Sequence, residues 1–281
     1  MRTPPWASLR ELEHASWKIQ DDSANDDPHY LEWLMLLMAP GSSIGGARPK
    51  AGVKDPSGDL WIAKFPGRSD TRDMAAWEML VHQLAVKAGL QVAESSLHEF
   101  GPGHRTFLTR RFDRVPGTDG RERIHFASAM TLLGHADGDG HDTGASYLEL
   151  VEFIIRNGAR SAEDLEELWR RIVFSIAVHN TDDHLRNHGF LLTDSGWILS
   201  PAFDLNPDPG GTGLSLNISE TDNALNFDLA LEVSPIFRLK PAAAESILQQ
   251  VKQAVKSWQS HAKALGIARM EQEIMAEAFE V

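Results

Sequence analysis

The densest run of chemically capable side chains is His179-Asn180-Thr181-Asp182-Asp183-His184-Leu185-Arg186-Asn187-His188, wedged between the apolar stretches Ile172–Val178 and Phe190–Leu192. Polar groups at the edge of a core need partners or a task. Asp182 and Asn187 stand five positions apart, the spacing at which an aspartate takes or orients a hydroxyl proton while an asparagine carbonyl binds magnesium. After another 17 residues the chain returns a further carboxylate, Asp204, in Ser200-Pro201-Ala202-Phe203-Asp204. Asn187 and Asp204 offer the hard oxygen donors that magnesium takes alongside phosphate oxygens. The chemistry implied is phosphoryl transfer to a hydroxyl.

A phosphate donor also needs cations. Lys64 lies in the apolar run Leu60-Trp61-Ile62-Ala63-Lys64-Phe65, where an unpaired ammonium is costly and calls for an anion. Nucleotide phosphates would supply one, with Glu78 placed to position the lysine. Upstream, Gly41-Ser42-Ser43-Ile44-Gly45-Gly46-Ala47-Arg48-Pro49-Lys50 is too rich in glycine and proline for an element interior and reads as a loop. Its Gly45-Gly46-Ala47 would let backbone N–H groups approach phosphate oxygens. No glycine-lysine-serine/threonine follows at the required spacing, which excludes a P-loop.

These groups need a scaffold, and the sequence predicts an α+β one. Ala7–Ile19 and Pro28–Met38 read as short helices. Lys50–Lys54 and Leu60–Phe65 read as antiparallel strands closed by Asp55-Pro56-Ser57-Gly58-Asp59, whose proline and glycine suit a turn. Asp70–Ala88 has helical periodicity and stops at Gly89, while Gln91–Glu99 and Arg105–Arg111 read as further strands. Beyond about Val115 the chain turns mostly helical. His135–Ala145, rich in glycine and aspartate, reads as a mobile surface loop without the ligand register of a calcium site. Ser161 is expected to cap a helix that runs to about Val178. Phe190–Leu192 and Trp197–Leu199 form a predicted hairpin, and Pro241–Leu265 and Arg269–Phe279, divided at Gly266, two closing helices. The expected division is a β-containing lobe over residues 1–113 and a helical lobe over 114–281.

The 281 residues carry a formal charge of −13, with 42% hydrophobic and 24% charged side chains and no cysteine. This is the composition of a globular chain with room for a core around a cleft. The lack of cysteine excludes disulfides, thiolate metal sites and a cysteine nucleophile, and it favours a cytoplasmic location. The most apolar runs, Tyr30–Ala39 and Ile172–Val178, fall well short of the ~20 residues that span a bilayer, so no membrane partner is expected. Net negative charge argues against direct binding to a nucleic-acid backbone. The charge is uneven, with −4 over residues 1–39, +3 over 40–123 and −12 over 124–281. One lobe gripping an anion and another holding cations in carboxylates would suit that split.

Several segments resemble, in family order over roughly residues 40–210, the HipA family of bacterial serine/threonine kinases, the toxins of toxin–antitoxin systems. They are Ser43-Ile44-Gly45-Gly46-Ala47-Arg48-Pro49-Lys50, Leu60-Trp61-Ile62-Ala63-Lys64-Phe65-Pro66, Arg111-Phe112-Asp113-Arg114, Asn180-Thr181-Asp182-Asp183-His184-Leu185-Arg186-Asn187 and Pro201-Ala202-Phe203-Asp204. The resemblance implies a bilobal protein-kinase-like (HipA-like) fold that uses ATP and magnesium to phosphorylate a serine or threonine of a protein. It implies Asp182 as catalytic base, Asn187 and Asp204 as magnesium ligands, and Lys64 on the ATP phosphates. Gly45, Gly46, Ala47, Arg48, Pro49 and Lys50 would form the phosphate-side loop, and Arg110, Arg111 and Phe112 the hinge beside adenine. His184 and Phe203 would be further nucleotide neighbours. Ser42 or Ser43 matches the family's autophosphorylation position, which switches activity off by displacing the nucleotide loop. Family substrates are aminoacyl-tRNA synthetases, and the usual partner is a helix-turn-helix antitoxin that relieves growth arrest. With some 40 residues ahead of Gly41, the chain is similar to the short HipT form, in which a separate small protein corresponds to the absent N-terminal subdomain.

Other readings draw on the same residues. His179, His184 and His188, with Asp182 and Asp183 among them, could ligate a metal. The six arginines of Arg105–Arg123 could bind RNA or, with acids at 113, 119 and 122, lace a strand pair. A kinase-fold enzyme acting on a small molecule, or a non-catalytic partner-binding module, would keep the same motifs.

Overall fold

The computed structural model describes residues 3–21, 23–37, 48–101, 104–115 and 122–281. The chain divides into two compact units, Met1–Met79 with Ala93–Arg123, and Leu80–Val92 with Ile124–Val281. Where the sequence suggested a single boundary at residue 113, the first unit runs on to Arg123 and the second takes Leu80–Val92.

In the first unit a 3₁₀ turn at Trp6–Ser8 leads into α1 (Leu9–Ile19), followed by α2 (Tyr30–Leu37), β1 (Lys50–Lys54) and β2 (Leu60–Lys64). Helix α3 (Met74–Lys87) starts here, and β3 (Ser95–Gly101) and β4 (His104–Arg110) complete the sheet, whose strand order is β1-β2-β4-β3 with antiparallel neighbours. The β1–β2 turn is built from its own residues. Asp55 accepts bonds from Asp59 N at 2.9 Å and Trp61 Nε1 at 3.0 Å, and Gly58 takes φ +93°, a conformation open to glycine. Leu9 and Leu12 of α1 pack on Ala51, Val53, Trp61, Ala63, Phe65 and Leu108 to form the core. Asp73 caps α3 by accepting from Ala76 N at 2.9 Å, which moves the helix start from the expected Asp70 to Met74. The C-terminal brake falls as expected at Gly89, φ +83°.

The second unit holds the rest of α3, then β5 (Phe126–Ser128), α4 (Ala129–Leu133), α5 (Tyr147–Asn157), α6 (Ser161–Ala177), β6 (Gly189–Thr193) and β7 (Gly196–Leu199). Helices α7 (Phe227–Val233), α8 (Pro241–Val255), α9 (Trp258–Ala264) and α10 (Arg269–Met275) follow. Helix α6 is its axis, with Leu165, Leu168, Trp169, Ile172, Val173 and Phe174 fully buried. The predicted β6–β7 hairpin is present and gains a third strand, β5, in the order β5-β6-β7. Gln91–Glu94 are not strand as expected. Gln91 gives its N–H to Glu167 at 3.1 Å, while its carbonyl accepts from Ala202 N at 2.7 Å.

Three further expectations are corrected. Ser161 does not cap α6; its hydroxyl donates backwards to the Ile154 carbonyl at 2.9 Å, and Arg160 occupies the cap position. His135–Ala145 is pinned, because His135 meets Asp139 at 3.1 Å and Glu149 at 3.0 Å while His141 N donates to Ser215 O at 2.8 Å. The helix expected over Pro241–Leu265 breaks after Val255, where the Ser257 hydroxyl bonds the Ala254 carbonyl at 2.6 Å. Among the described residues no helix is long and apolar enough to cross a membrane.

Gly189 of β6 marks the tightest point of the small sheet. A Cβ there would lie 2.2 Å from Phe126 Cε2 and 2.9 Å from Ser200 Oγ. Gly189→Ala is therefore expected to lower stability by about 1–3 kcal/mol through overpacking, read as a reduced denaturant midpoint at unchanged slope. An unchanged midpoint would contradict the β5–β6 register.

Candidate active site

The loop that follows α6 is shaped by an unusual backbone and by side chains that bond inward. His179 turns the chain with φ +48°. Asn180, buried, donates to Ser175 Oγ at 3.3 Å and accepts from Asn206 N at 3.1 Å. Thr181 donates to Asp208 at 3.1 Å, and its carbonyl accepts the Ser215 hydroxyl at 2.7 Å. Asp182 then projects outward with 85% of its side chain exposed, 4.0 Å from His184 Nε2. The turn closes at Asn187, whose Nδ2 donates to the Asp182 carbonyl at 2.9 Å. With its amide nitrogen so committed, Asn187 presents Oδ1 as the remaining acceptor.

Asp183 goes the opposite way. Its carboxylate is buried and meets Tyr147 Oη at 2.7 Å, Ser175 Oγ at 3.2 Å and His188 Nε2 at 3.1 Å. Burial pushes this carboxyl up, but the His188 charge and the hydrogen bonds outweigh it and hold the group below its ordinary range. Burial, and after it the Asp183 charge, pushes the Tyr147 phenol well above its ordinary value. The sequence offers Asp183 and His188 only as candidate metal ligands, and gives no sign of Tyr147 or Ser175.

Past β7 the chain carries Phe203, whose ring lies 6.5 Å edge-on from Phe126, and Asp204, which takes φ +59°. Asn206 donates to Asp204 Oδ1 at 3.0 Å and, through its backbone, to Asn180, so the Asp204 segment is stitched to the loop that bears Asp182. Among the described residues three non-glycines have positive φ, and two of them, His179 and Asp204, are here. Such conformations persist where surrounding structure enforces them, commonly at functional sites. Gly211 allows another close approach, since a Cβ there would come within 2.3 Å of the Thr181 methyl.

This donor set fits magnesium, with one amide oxygen and one carboxylate leaving room for phosphate oxygens and water. It does not fit a histidine-ligated metal. Among the described residues no group of three or more His, Asp or Glu side chains converges, because His188 is spent on Asp183 and His184 stands beside Asp182.

In the first unit Lys64 Nζ meets Glu78 Oε1 at 2.5 Å, both side chains about nine-tenths buried, with the ammonium 5.7 Å from the Phe107 ring centre. Lys50 is the register partner of Lys64, which sets both side chains on one face of the sheet. Arg48 pairs with Asp70, and the Pro49 carbonyl accepts from Phe65 N at 2.9 Å. Gly45, Gly46 and Ala47, and with them Ser42 and Ser43, lie outside the described residues. Arg110 is paired with Asp59 and Glu94, and Arg111 with Asp113 at 2.7 Å, while Phe112 is half-buried beyond β4. Arg114 also binds Asp113, at 2.5 Å, and Arg105 binds Asp73. Burial raises the Asp113 carboxyl, but the Arg111 and Arg114 charges and hydrogen bonds hold it below its ordinary range. Of the acids named for the arginine-rich segment, Asp113 is engaged and position 119 lies outside the described residues; Asp59, Asp73 and Glu94 supply further pairs.

Residues 42–258 match the HipA-like C-terminal domain. The Y4mE protein of Sinorhizobium fredii, which bears a kinase name, is 30% identical over 147 residues, covering 51% of this chain and 33% of its own. The serine/threonine-protein kinase toxin HipA of Shewanella oneidensis is 28% identical over 145 residues, 46% of this chain and 33% of that protein. The chain spans a third to about half the length of the curated relatives it matches. Among solved structures, a complex of Shewanella oneidensis HipA with HipB and operator DNA is similar with a TM-score of 0.66 at 20% identity, over 84% of this chain and 62% of that one. The Helicobacter pylori kinase CtkA is similar with a TM-score of 0.50 at 12% identity, over 82% and 92%. The fold is thus the α+β kinase-like one expected from the sequence.

The pinned segment beside the loop offers a test of the electrostatics. The hydrogen bond to Glu149, opposed by burial and aided by Asp139, raises His135 above its ordinary value of 6.5. A raised histidine stabilises fully below its unfolded value and loses that contribution as pH rises through the folded one. The stability difference between wild type and His135→Gln is therefore expected to be greatest below about pH 6.5 and to shrink above it, measured by urea unfolding across pH.

Proposed function

The chain belongs to the HipA-like C-terminal domain family, and from that premise we propose that it is a serine/threonine protein kinase using ATP and magnesium. The observation that supports the reading best is the closure of the 182–187 loop. One side-chain bond, Asn187 Nδ2 to the Asp182 carbonyl, leaves the Asp182 carboxylate in solvent and an asparagine oxygen available to a cation. In the proposed reaction the acceptor hydroxyl oxygen bonds to the γ-phosphorus, the bond from that phosphorus to the β,γ-bridging oxygen breaks, and ADP leaves. Asp182 orients the hydroxyl and takes its proton. Lys64, held by Glu78, neutralises phosphate charge, and Lys50 on the same face adds to it. Arg48, Pro49 and the glycines before them would border the phosphates; Arg110, Arg111, Phe112, His184 and Phe203 would contact the rest of the nucleotide. Magnesium on Asn187 and Asp204 would offset charge on the phosphate oxygens. The chain's contribution is then positioning and electrostatics, as phosphoryl transfer requires.

By family likeness the acceptor is an aminoacyl-tRNA synthetase, with Ser42 or Ser43 as an autophosphorylation site, and the outcome is growth arrest. The solved relative is in complex with HipB and operator DNA, which supports a helix-turn-helix antitoxin as partner. A small protein equivalent to the N-terminal subdomain is a second candidate, and the setting would be cytoplasmic.

Labelled ATP added to host lysate with wild type or Asp182→Ala tests the proposal. The wild type should label a discrete protein, and the variant should do so about 10²–10⁴-fold more slowly while remaining folded. Equal labelling by the two would overturn the assignment. Lys64→Ala should weaken nucleotide use, measured as a raised KM for ATP, and mass spectrometry of wild type incubated with ATP should find phosphate on Ser42 or Ser43.

A further inference from the structure

We propose that Asp183 and His188 form a buried clamp that sets the geometry between Asp182 and Asn187, making both positioning residues for phosphoryl transfer. The inference rests on the kinase reading above. Asp183 directly follows the predicted base, and His188 directly follows the predicted magnesium ligand. Their side chains meet 3.1 Å apart, Asp183 only 5% and His188 only 2% exposed. The short loop is therefore closed twice between the same ends, once by Asn187 Nδ2 on the Asp182 carbonyl and once by this carboxylate–imidazole contact.

The clamp is anchored to two helices. Tyr147 at the start of α5 donates to Asp183 at 2.7 Å and lays its ring edge-on to His188 with centres 5.6 Å apart. Ser175, in the last turn of α6, donates to the same carboxylate oxygen at 3.2 Å and accepts from Asn180. Stability alone gives a poor account of this arrangement. Both imidazole nitrogens are buried without a hydrogen bond, Nε2 meeting Asp183 as a charge contact only, and replacing a buried ion pair by apolar side chains commonly leaves stability unchanged or raises it. What an apolar pair lacks is direction. A carboxylate held by two hydroxyl donors and faced by an imidazole at 3.1 Å fixes its own backbone, and with it the outward aim of Asp182, within the tolerance that a catalytic constellation demands.

Asp183→Asn and Tyr147→Phe test this in three readouts. Asp183→Asn is expected to lower kcat on the order of 100-fold, the scale of a 1 Å misplacement, with Tyr147→Phe intermediate. Both should raise the magnesium concentration that half-saturates the thermal shift given by a non-hydrolysable ATP analogue, while affinity for that analogue in chelator stays at the wild-type value. Amides of His184 and Asn187, which donate to Asp182 O and His184 O, should exchange hydrogen faster in both variants. Variants that lose melting temperature but keep wild-type kcat and magnesium dependence would show a purely structural network and overturn the inference. If Asp183→Asn does not fold, Tyr147→Phe decides by the same readouts. Wild type that neither binds magnesium–ATP nor transfers phosphate would instead sink the kinase reading, and the clamp with it.

Discussion

A carboxylate taken out of water must be met by donors on every side, and the second unit depends on three that are. Asp164 receives Leu199 N at 2.9 Å and the Arg160 guanidinium at 2.9 Å. Glu167 receives Gln91 N and Arg171, and Arg171 passes on to the Ser200 carbonyl at 2.7 Å. Asp183 receives Tyr147 and Ser175 and faces His188 Nε2 at 3.1 Å. Asp164 and Glu167 lie on α6 and Asp183 is bonded to it, so one helix fixes the end of β7, the chain after α3 and the 182–187 loop. For the fully buried Glu167–Arg171 pair, losing one partner costs about 3–5 kcal/mol, far more than a surface contact.

That anchoring explains how two adjacent aspartates do opposite things. Asp182 and Asp183 are the same residue type side by side, yet one is 85% exposed and the other buried at the meeting point of α5, α6 and the residue after Asn187. The hydrogen-bonded turn His184 N to Asp182 O, and Asn187 N to His184 O, sets the alternation. The five-residue spacing of Asp182 from Asn187 stands in the sequence itself. The clamp beneath does not, because Tyr147 and Ser175 approach from 36 and 8 residues away.

The first unit was more readable. The β1–β2 hairpin follows from local turn chemistry at Asp55 and Gly58, and the cost of an ammonium in an apolar strand pointed to an anionic partner for Lys64, found in Glu78. Elsewhere the decisive contacts were distant. Three-residue β5 is too short for alternation to announce it. Ser161 has the type and place of a helix cap, but the Ile154 carbonyl claims its hydroxyl. The glycine-rich segment from His135 looks loose until Glu149 and Ser215 hold it.

The central claim is that Asn187 and Asp204 hold a magnesium–nucleotide complex, and calorimetry with a non-hydrolysable ATP analogue tests it most directly. Wild type should bind the analogue at least about tenfold more tightly, a gain of about 1.4 kcal/mol, with magnesium than in chelator, and Asn187→Ala and Asp204→Ala should lose that difference. Binding indifferent to magnesium in wild type, or a magnesium dependence kept by both variants, would contradict the account.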